Sequence, residues 1–266
     1  MATVPTRPLV MGVLNVTPDS FYDGGRYLAP DDAIEHGLAM VAEGVDIVDV
    51  GGESSRPGAS PVAEDEELAR VVPVVEALAP AVRVSVDTVK PSVAVAAVAA
   101  GATLINDVAG TLWPVAAELG VGWVAMHRQG SAADMQRSPR YDDVVAQVHA
   151  ALLAMAARAG AAGVEEIWFD PGIGFGKTVE HNLSLLAHVA ELADAAHTLG
   201  HTVLIGTSRK RFLGALGGAS LPVEDRLEGS LATATFALVH GADMVRVHDV
   251  APSVLAASLV AERPAA

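Results

Sequence analysis

The feature that most constrains this chain is a strict alternation of short apolar runs with alanine-rich stretches of helical period. Runs of β-branched or aliphatic residues occur at 9–14, 45–50, 82–86, 103–105, 122–126, 167–169, 202–205 and 244–247. Each ends in a polar or glycine-rich loop, the mark of a buried strand. Between them the apolar spacing predicts helices at 31–43, 64–78, 91–100, 114–119, 141–162, 181–199, 209–216 with 224–240, and 251–262. Such alternation requires parallel strands joined by right-handed crossovers, and near-continuous apolar strands imply burial on both faces. Eight units in 266 residues favour an α/β fold with a single closed (β/α)8 TIM barrel, one domain over 1–266. A doubly wound open sheet is the structural alternative, but its Gly-x-Gly-x-x-Gly fingerprint does not follow Leu14.

Composition narrows the partners. With 51% hydrophobic and 18% charged residues the chain reads as globular and soluble, and its formal net charge of −15 argues against nucleic acid. An anionic ligand would need a local cluster of cations. The absence of cysteine excludes disulfides and thiolate chemistry. The first nine residues, with Pro5, Arg7 and Pro8, lack the apolar core of a secretory signal. No apolar run approaches the ~20 residues of a membrane span. A cytoplasmic location and no membrane partner are therefore expected.

In a closed barrel the residues just after each strand converge on one mouth. Here they are polar: Asn15, the 51–58 loop containing Glu53, Asp87, Asn106 with Asp107, Met126 with His127, Asp170, Ser208 to Lys210, and Arg246 with His248 and Asp249. A single Asp or Asn after a strand is often the N-cap of the next helix, which suits Asp107 and Asp249. Glu53 suits a role in holding its loop together, and His127 that of a satisfied rim histidine. Asp87, Asn106 and Asp170 differ as a set, because three short acceptors aimed at one pocket match the donor edge of an amidine-like heterocycle. Of only three lysines, Lys90, Lys177 and Lys210, the last stands in a small-residue loop at a strand end. Arg56, Arg246 and His248 supply local positive charge, and arginine forks fit phosphate oxygens.

Residues 172–178 look like a nucleotide P-loop, but that pattern needs a glycine where Pro171 stands. The glycines there are expected to let the backbone pass close to a flat ligand with Phe175 as a wall, leaving Lys177 at the surface or at a helix start. No Gly-x-Ser-x-Gly elbow follows a strand, and no histidine pair has zinc-helix spacing. A hard ion shared with substrate phosphates is compatible with the oxygen donors.

Taken together, the loops at 15–25, 51–58, 170–177, 208–214 and 246–250 resemble those of the dihydropteroate synthases, the folate-pathway target of sulfonamides, and the likeness runs over 11–250. The resemblance implies a transferase that condenses 6-hydroxymethyl-7,8-dihydropterin pyrophosphate with 4-aminobenzoate, giving 7,8-dihydropteroate and pyrophosphate. It implies a pterin pocket at Asp87, Asn106, Met126, Asp170 and Lys210, with Arg246 against the ring. Pyrophosphate falls to Ser55, Arg56, Arg246 and His248, and Mg2+ to Asn15. Aminobenzoate falls to Phe21, Ser55, Pro57, Phe175 and Lys210, and Asp23 is a loop-closing catalytic candidate beside Asp170 and Lys210. A homodimer through outer helices near the C-terminal end is also implied. Ser55 stands where the family often has threonine, retaining the hydroxyl. A non-catalytic pterin-binding paralogue and a corrinoid-dependent pterin methyltransferase are the alternatives.

Overall fold

The computed structural model describes residues 7–17, 30–54, 61–131, 134–216 and 221–262. Of the residues singled out above, Phe21, Asp23, Ser55, Arg56 and Pro57 lie outside that set.

The eight apolar runs form β1 (Leu9–Asn15), β2 (Ile47–Gly51), β3 (Arg83–Asp87), β4 (Leu104–Asp107), β5 (Gly122–Met126), β6 (Ile167–Asp170), β7 (Thr202–Ile205) and β8 (Met244–Val247). All pair in parallel in chain order, and β1 closes on β8, so the sheet is a barrel. Outside it run α1 (Pro30–Ala42), α2 (Glu64–Leu78), α3 (Pro91–Ala99), α4 (Trp113–Leu119), α5 (Val144–Ala161), α6 (Val179–Ala187), α7 (Val189–Thr198), α8 (Arg211–Ala215), α9 (Leu227–Val239) and α10 (Val250–Ala261).

Strand parity separates two apolar regions. Alternate residues such as Val48, Val86, Ile105, Phe169 and Val245 face outward and form the main core with the helices. The opposite set, Met11, Ile47, Leu104, Val124, Trp168, Leu204 and Met244, fills the barrel interior. Trp168 seats its indole N–H on Glu166 at 2.7 Å, and Arg83 holds the other Glu166 oxygen at 2.7 Å, closing the N-terminal face. Apart from the small hydroxyl residues Thr202 and Ser85, this layer of the interior is apolar, and the inward charges above it lie toward the C-terminal mouth.

Several boundaries differ from expectation for local reasons. Five strands run past their apolar pattern, because the ladder continues after the side chains become polar: Asn15 pairs with Gly51, Gly51 with Asp87, and Asp87 with Asn106. The helix expected at 141–162 begins at Val144, where the Asp143 carboxylate caps the Ala146 N–H at 3.0 Å. The helix expected at 181–199 is broken at His188, whose backbone leaves the helical region (φ −109, ψ 22). Arg209 adopts φ +57, so the next helix starts at Arg211 instead. By length and composition α5 could cross a membrane, with 18 residues at mean hydropathy 1.4, which the sequence reading did not anticipate. It lies against β5, β6 and α6 as an outer helix, burying Val144, Val148, Leu152, Ala156 and Ala159 on one stripe.

Candidate active site

Above the apolar plug the inward positions carry a connected set of charges. Arg246 on β8 donates from Nε to Asp49 Oδ2 at 2.6 Å and from Nη2 to Asp87 Oδ2 at 2.7 Å. Asp49 Oδ2 also accepts from Asn106 Nδ2 at 2.8 Å. Asp49 and Asp87 stand on the adjacent strands β2 and β3, so the guanidinium, reaching past β1 from β8, ties two carboxylates together and, through Asp49, the Asn106 amide on β4. Because the Asn106 amide nitrogen is committed to Asp49, its carbonyl oxygen is the group left to face the mouth. Asp49 is fully buried, and its second oxygen has no hydrogen-bond partner, like the hydroxyl of its register neighbour Ser85.

The electrostatics follow from this crowding. Burial pushes the Asp87 carboxyl up to about 7 against the pull of Arg246, with Asp49 and Glu67 adding to the rise. Burial opposes the charge on Arg246, yet Asp49 and Asp87 hold its guanidinium above the ordinary value. A pair of this kind is held by geometry: removing one partner strands the other charge in a dry site.

Asp170 closes β6 level with Met126 on β5, so Asp87 and Asn106 are direct neighbours while Asp170 stands two strands beyond Asn106. Its Oδ1 accepts the Gly172 N–H at 2.7 Å. Burial raises its proton affinity, while the Gly172 N–H, Lys210 and Lys177 lower it. Lys210 precedes α8, and its ammonium lies 4.1 Å from the centroid of the Phe175 ring, a cation–π contact. Burial lowers Lys210 to about 8, opposed by Asp170. Phe175 clusters with Met126, Val108 and Met135, so the wall and packing roles expected of Phe175 and Met126 fall on one apolar patch.

On the other side of the mouth, Ser208 accepts the His248 backbone N–H at 3.1 Å and lies 3.0 Å from its Nδ1. The hydroxyl thus ties both the backbone and the ring of His248 to the end of β7. Asn15, at the end of β1, directs its amide oxygen toward Gly51, 3.8 Å from where a Cβ there would stand.

Several sequence expectations are corrected. Lys177 is neither a surface nor a simple helix-start residue: it is 3% exposed, and its ammonium reaches His127, Gly172 and Phe175. Gly172 and Gly176, at φ +68 and +62, make room for the chain itself and not for a flat ligand. A Cβ on either would fall onto the carbonyl oxygen of His127 or Gln129. Gly174 differs: a Cβ there would meet a side chain, 3.2 Å from Lys210 Cδ. Asp249 precedes α10 as expected, but its carboxylate pairs with Arg209 at 2.5 and 3.1 Å and makes no cap. Asp107 holds the 109–112 loop by four backbone N–H groups and takes the Trp123 indole, though Leu112 occupies the cap position of α4. Arg246, expected both at the ring and at phosphate, has two of its donor nitrogens bound to carboxylates. Glu53 behaves as expected: it accepts Val62 N–H at 3.1 Å and Lys90 at 2.5 Å across the base of its loop.

Asp49 was missed altogether. Its signal was present, since a charged residue inside the run Ile-Val-Asp-Val-Gly at inward parity cannot be buried without partners.

The dry plug, the acceptors on β3, β4 and β6 and the ammonium–ring contact match one class of enzyme. A family model described as pterin binding enzyme matches residues 11–248, and the chain belongs to that family. Within it the chain groups with the dihydropteroate synthases. The Mycobacterium leprae dihydropteroate synthase is 50% identical, the alignment covering 98% of this chain and 94% of that protein. The Yersinia pestis dihydropteroate synthase, solved with a sulfonamide drug, superposes with TM-score 0.88 at 44% identity over 96% of this chain and 94% of the other. The Xanthomonas albilineans dihydropteroate synthase with 4-aminobenzoic acid gives 0.87 at 46% identity over 97% and 94%.

Proposed function

We infer that this chain is a transferase that condenses 6-hydroxymethyl-7,8-dihydropterin pyrophosphate with 4-aminobenzoate to give 7,8-dihydropteroate and pyrophosphate, the dihydropteroate synthase reaction. The observation that carries the reading is the interior arrangement of Asp87, Asn106 and Asp170 with Lys210 opposite Phe175. Two carboxylates and an outward amide oxygen accept from the donor edge of a pterin, and Lys210 supplies a donor to its acceptor side.

In the reaction the bond between the pterin methylene carbon and the bridging oxygen breaks, its electron pair leaving with pyrophosphate. The methylene cation that forms is conjugated with the pterin ring, and the nearby Asp170 carboxylate stabilises that charge in a water-poor site. The aniline nitrogen of 4-aminobenzoate then attacks with its lone pair and releases a proton. The Phe175 ring and the Lys210 ammonium are placed to receive the aminobenzoate ring and carboxylate. His248, its ring held by Ser208, and Arg246 serve the pyrophosphate side, and no protein nucleophile is needed.

Asn15 offers a neutral amide oxygen, a donor type suited to a hard cation that takes its remaining ligands from phosphate and water. Magnesium bound there would supply neutralisation of charge on the leaving pyrophosphate. Phe236 on α9 and Leu255 and Leu259 on α10 are 42%, 64% and 67% exposed, which supports a homodimer formed through this face. Light scattering on the purified chain tests the dimer. The reaction itself is tested by pyrophosphate release: turnover should require both substrates and magnesium, and its absence with all three present sinks the reading.

A further inference from the structure

Lys177 has no part in the chemistry above, yet at 3% exposure it is the least exposed of the three lysines. An ammonium at that depth is strongly disfavoured unless its protons are taken up. All of them are. Nζ donates to the carbonyl oxygens of Gly172 and Phe175, both at 3.0 Å, and toward His127 at the end of β5, where Nδ1 lies at 3.1 Å and the carbonyl oxygen at 3.3 Å. The turn is also closed by the Phe175 N–H on Gly172 O at 3.0 Å. One cation thus gathers both ends of the glycine turn and fastens them to the neighbouring strand. Gly172 and Gly176 permit the approach, since a Cβ on either would meet the backbone of residues 127 and 129.

What the turn carries is the Phe175 ring, packed on Met126 and Met135 with the Lys210 ammonium 4.1 Å from its centroid. Gly174 abuts the stem of the same lysine. Moving the turn would therefore change the position of the ring relative to Lys210, while Asp87 and Asn106 are held on other strands through Arg246 and Asp49. Burial lowers His127 to about 4, so its ring is neutral and its Nδ1 can accept from the ammonium.

We propose that Lys177 is a positioning residue for the second substrate: its ammonium clamps the 172–176 turn to the end of β5 and so sets where the Phe175 ring stands relative to Lys210. The inference rests on the assignment of aminobenzoate to the Phe175–Lys210 side of the pocket.

Steady-state kinetics with each substrate varied in turn test it. Wild-type turnover and a raised aminobenzoate KM in Phe175→Leu test the underlying assignment; failure of either overturns that assignment and not the clamp. Given both, Lys177→Met, which keeps the length of the stem but has no N–H, should raise the aminobenzoate KM by about tenfold, equivalent to ~1.4 kcal/mol. The pterin pyrophosphate KM should stay within about threefold. His127→Leu removes the side-chain acceptor on the β5 side and leaves the ammonium in place, so it should raise the same KM by a smaller factor, about threefold. An unchanged aminobenzoate KM, or a parallel rise in both KM values, overturns the proposal. If Lys177→Met does not accumulate folded, the His127→Leu result decides it by the same criterion.

Discussion

Asp49→Asn is the substitution that most directly probes the interior network, because it keeps the shape and removes only the charge. In the wild-type chain Asp49 Oδ2 accepts two hydrogen bonds, from Arg246 Nε at 2.6 Å and Asn106 Nδ2 at 2.8 Å. An amide oxygen in the same place can still accept both, but each bond loses its ionic acceptor, at about 1 kcal/mol apiece. The new NH2 then sits at the Oδ1 position, which is buried without a hydrogen-bond partner. If it reaches the unpartnered Ser85 hydroxyl across the strand pair the loss stays near ~2 kcal/mol, and if it does not the loss rises toward ~4 kcal/mol. For a domain of this size that lowers Tm by about 4–8 °C at the smaller figure. Asp49 also adds to the rise of Asp87 to about 7, so removing its charge makes Asp87 easier to ionise. An ionised Asp87 is needed to accept from the pterin, and kcat/KM for the pterin substrate reports the free-enzyme titration. The acid limb should therefore move to lower pH in the variant. Thermal melts and a pH profile of kcat/KM measure both effects. A Tm within a degree of wild type together with an unmoved acid limb would refute the reasoning.

Other outcomes follow from the same geometry. Lys210→Ala and Asp170→Ala should each cut kcat by about 10²–10³-fold or more, the first by loss of a buried donor and the second by loss of charge stabilisation; near-normal rates in both would overturn the site. Gly172→Ala places a side chain at φ +68 and against the His127 carbonyl, so it should lower Tm by several degrees and weaken aminobenzoate use. Burial lowers Lys177 to about 7 and Lys210 to about 8 from 10.5. Over that window the unfolded chain holds more protons than the native one, so the contribution of these groups to stability increases as pH rises. Activity should run the other way, with kcat/KM falling above about pH 8 as Lys210 loses its charge. Urea curves at two pH values and a pH–rate profile separate the trends, and a rate that stays flat to high pH contradicts the role given to Lys210.

The alternation of apolar runs and helical stretches determined the barrel, because side-chain period and connection length are local properties that survive in a linear chain. The ring of polar residues at the strand ends was legible for a related reason: a polar residue directly after a buried run has few places to go other than the mouth. Asn15, Asp87, Asn106 and Asp170 were placed correctly in order, although they lie within the ladder's last residues and not after it, since pairing outlasts apolarity.

Tertiary structure alone decided which charges meet. Arg246 is 197 residues from Asp49 and 159 from Asp87 along the chain, and closure of β8 on β1 makes them partners. Lys177 read as a solvated cation because sequence carries no sign that the carbonyls of Gly172, Phe175 and His127 converge on one point. The glycines of that turn were correctly seen as needed for close approach, but whether a ligand or the neighbouring backbone stood opposite depended on strand β5 lying beside β6. Local pattern specifies how a residue is oriented on its own element; which group it faces is set by the packing of elements distant in sequence, and the chemistry of this site resides in those meetings.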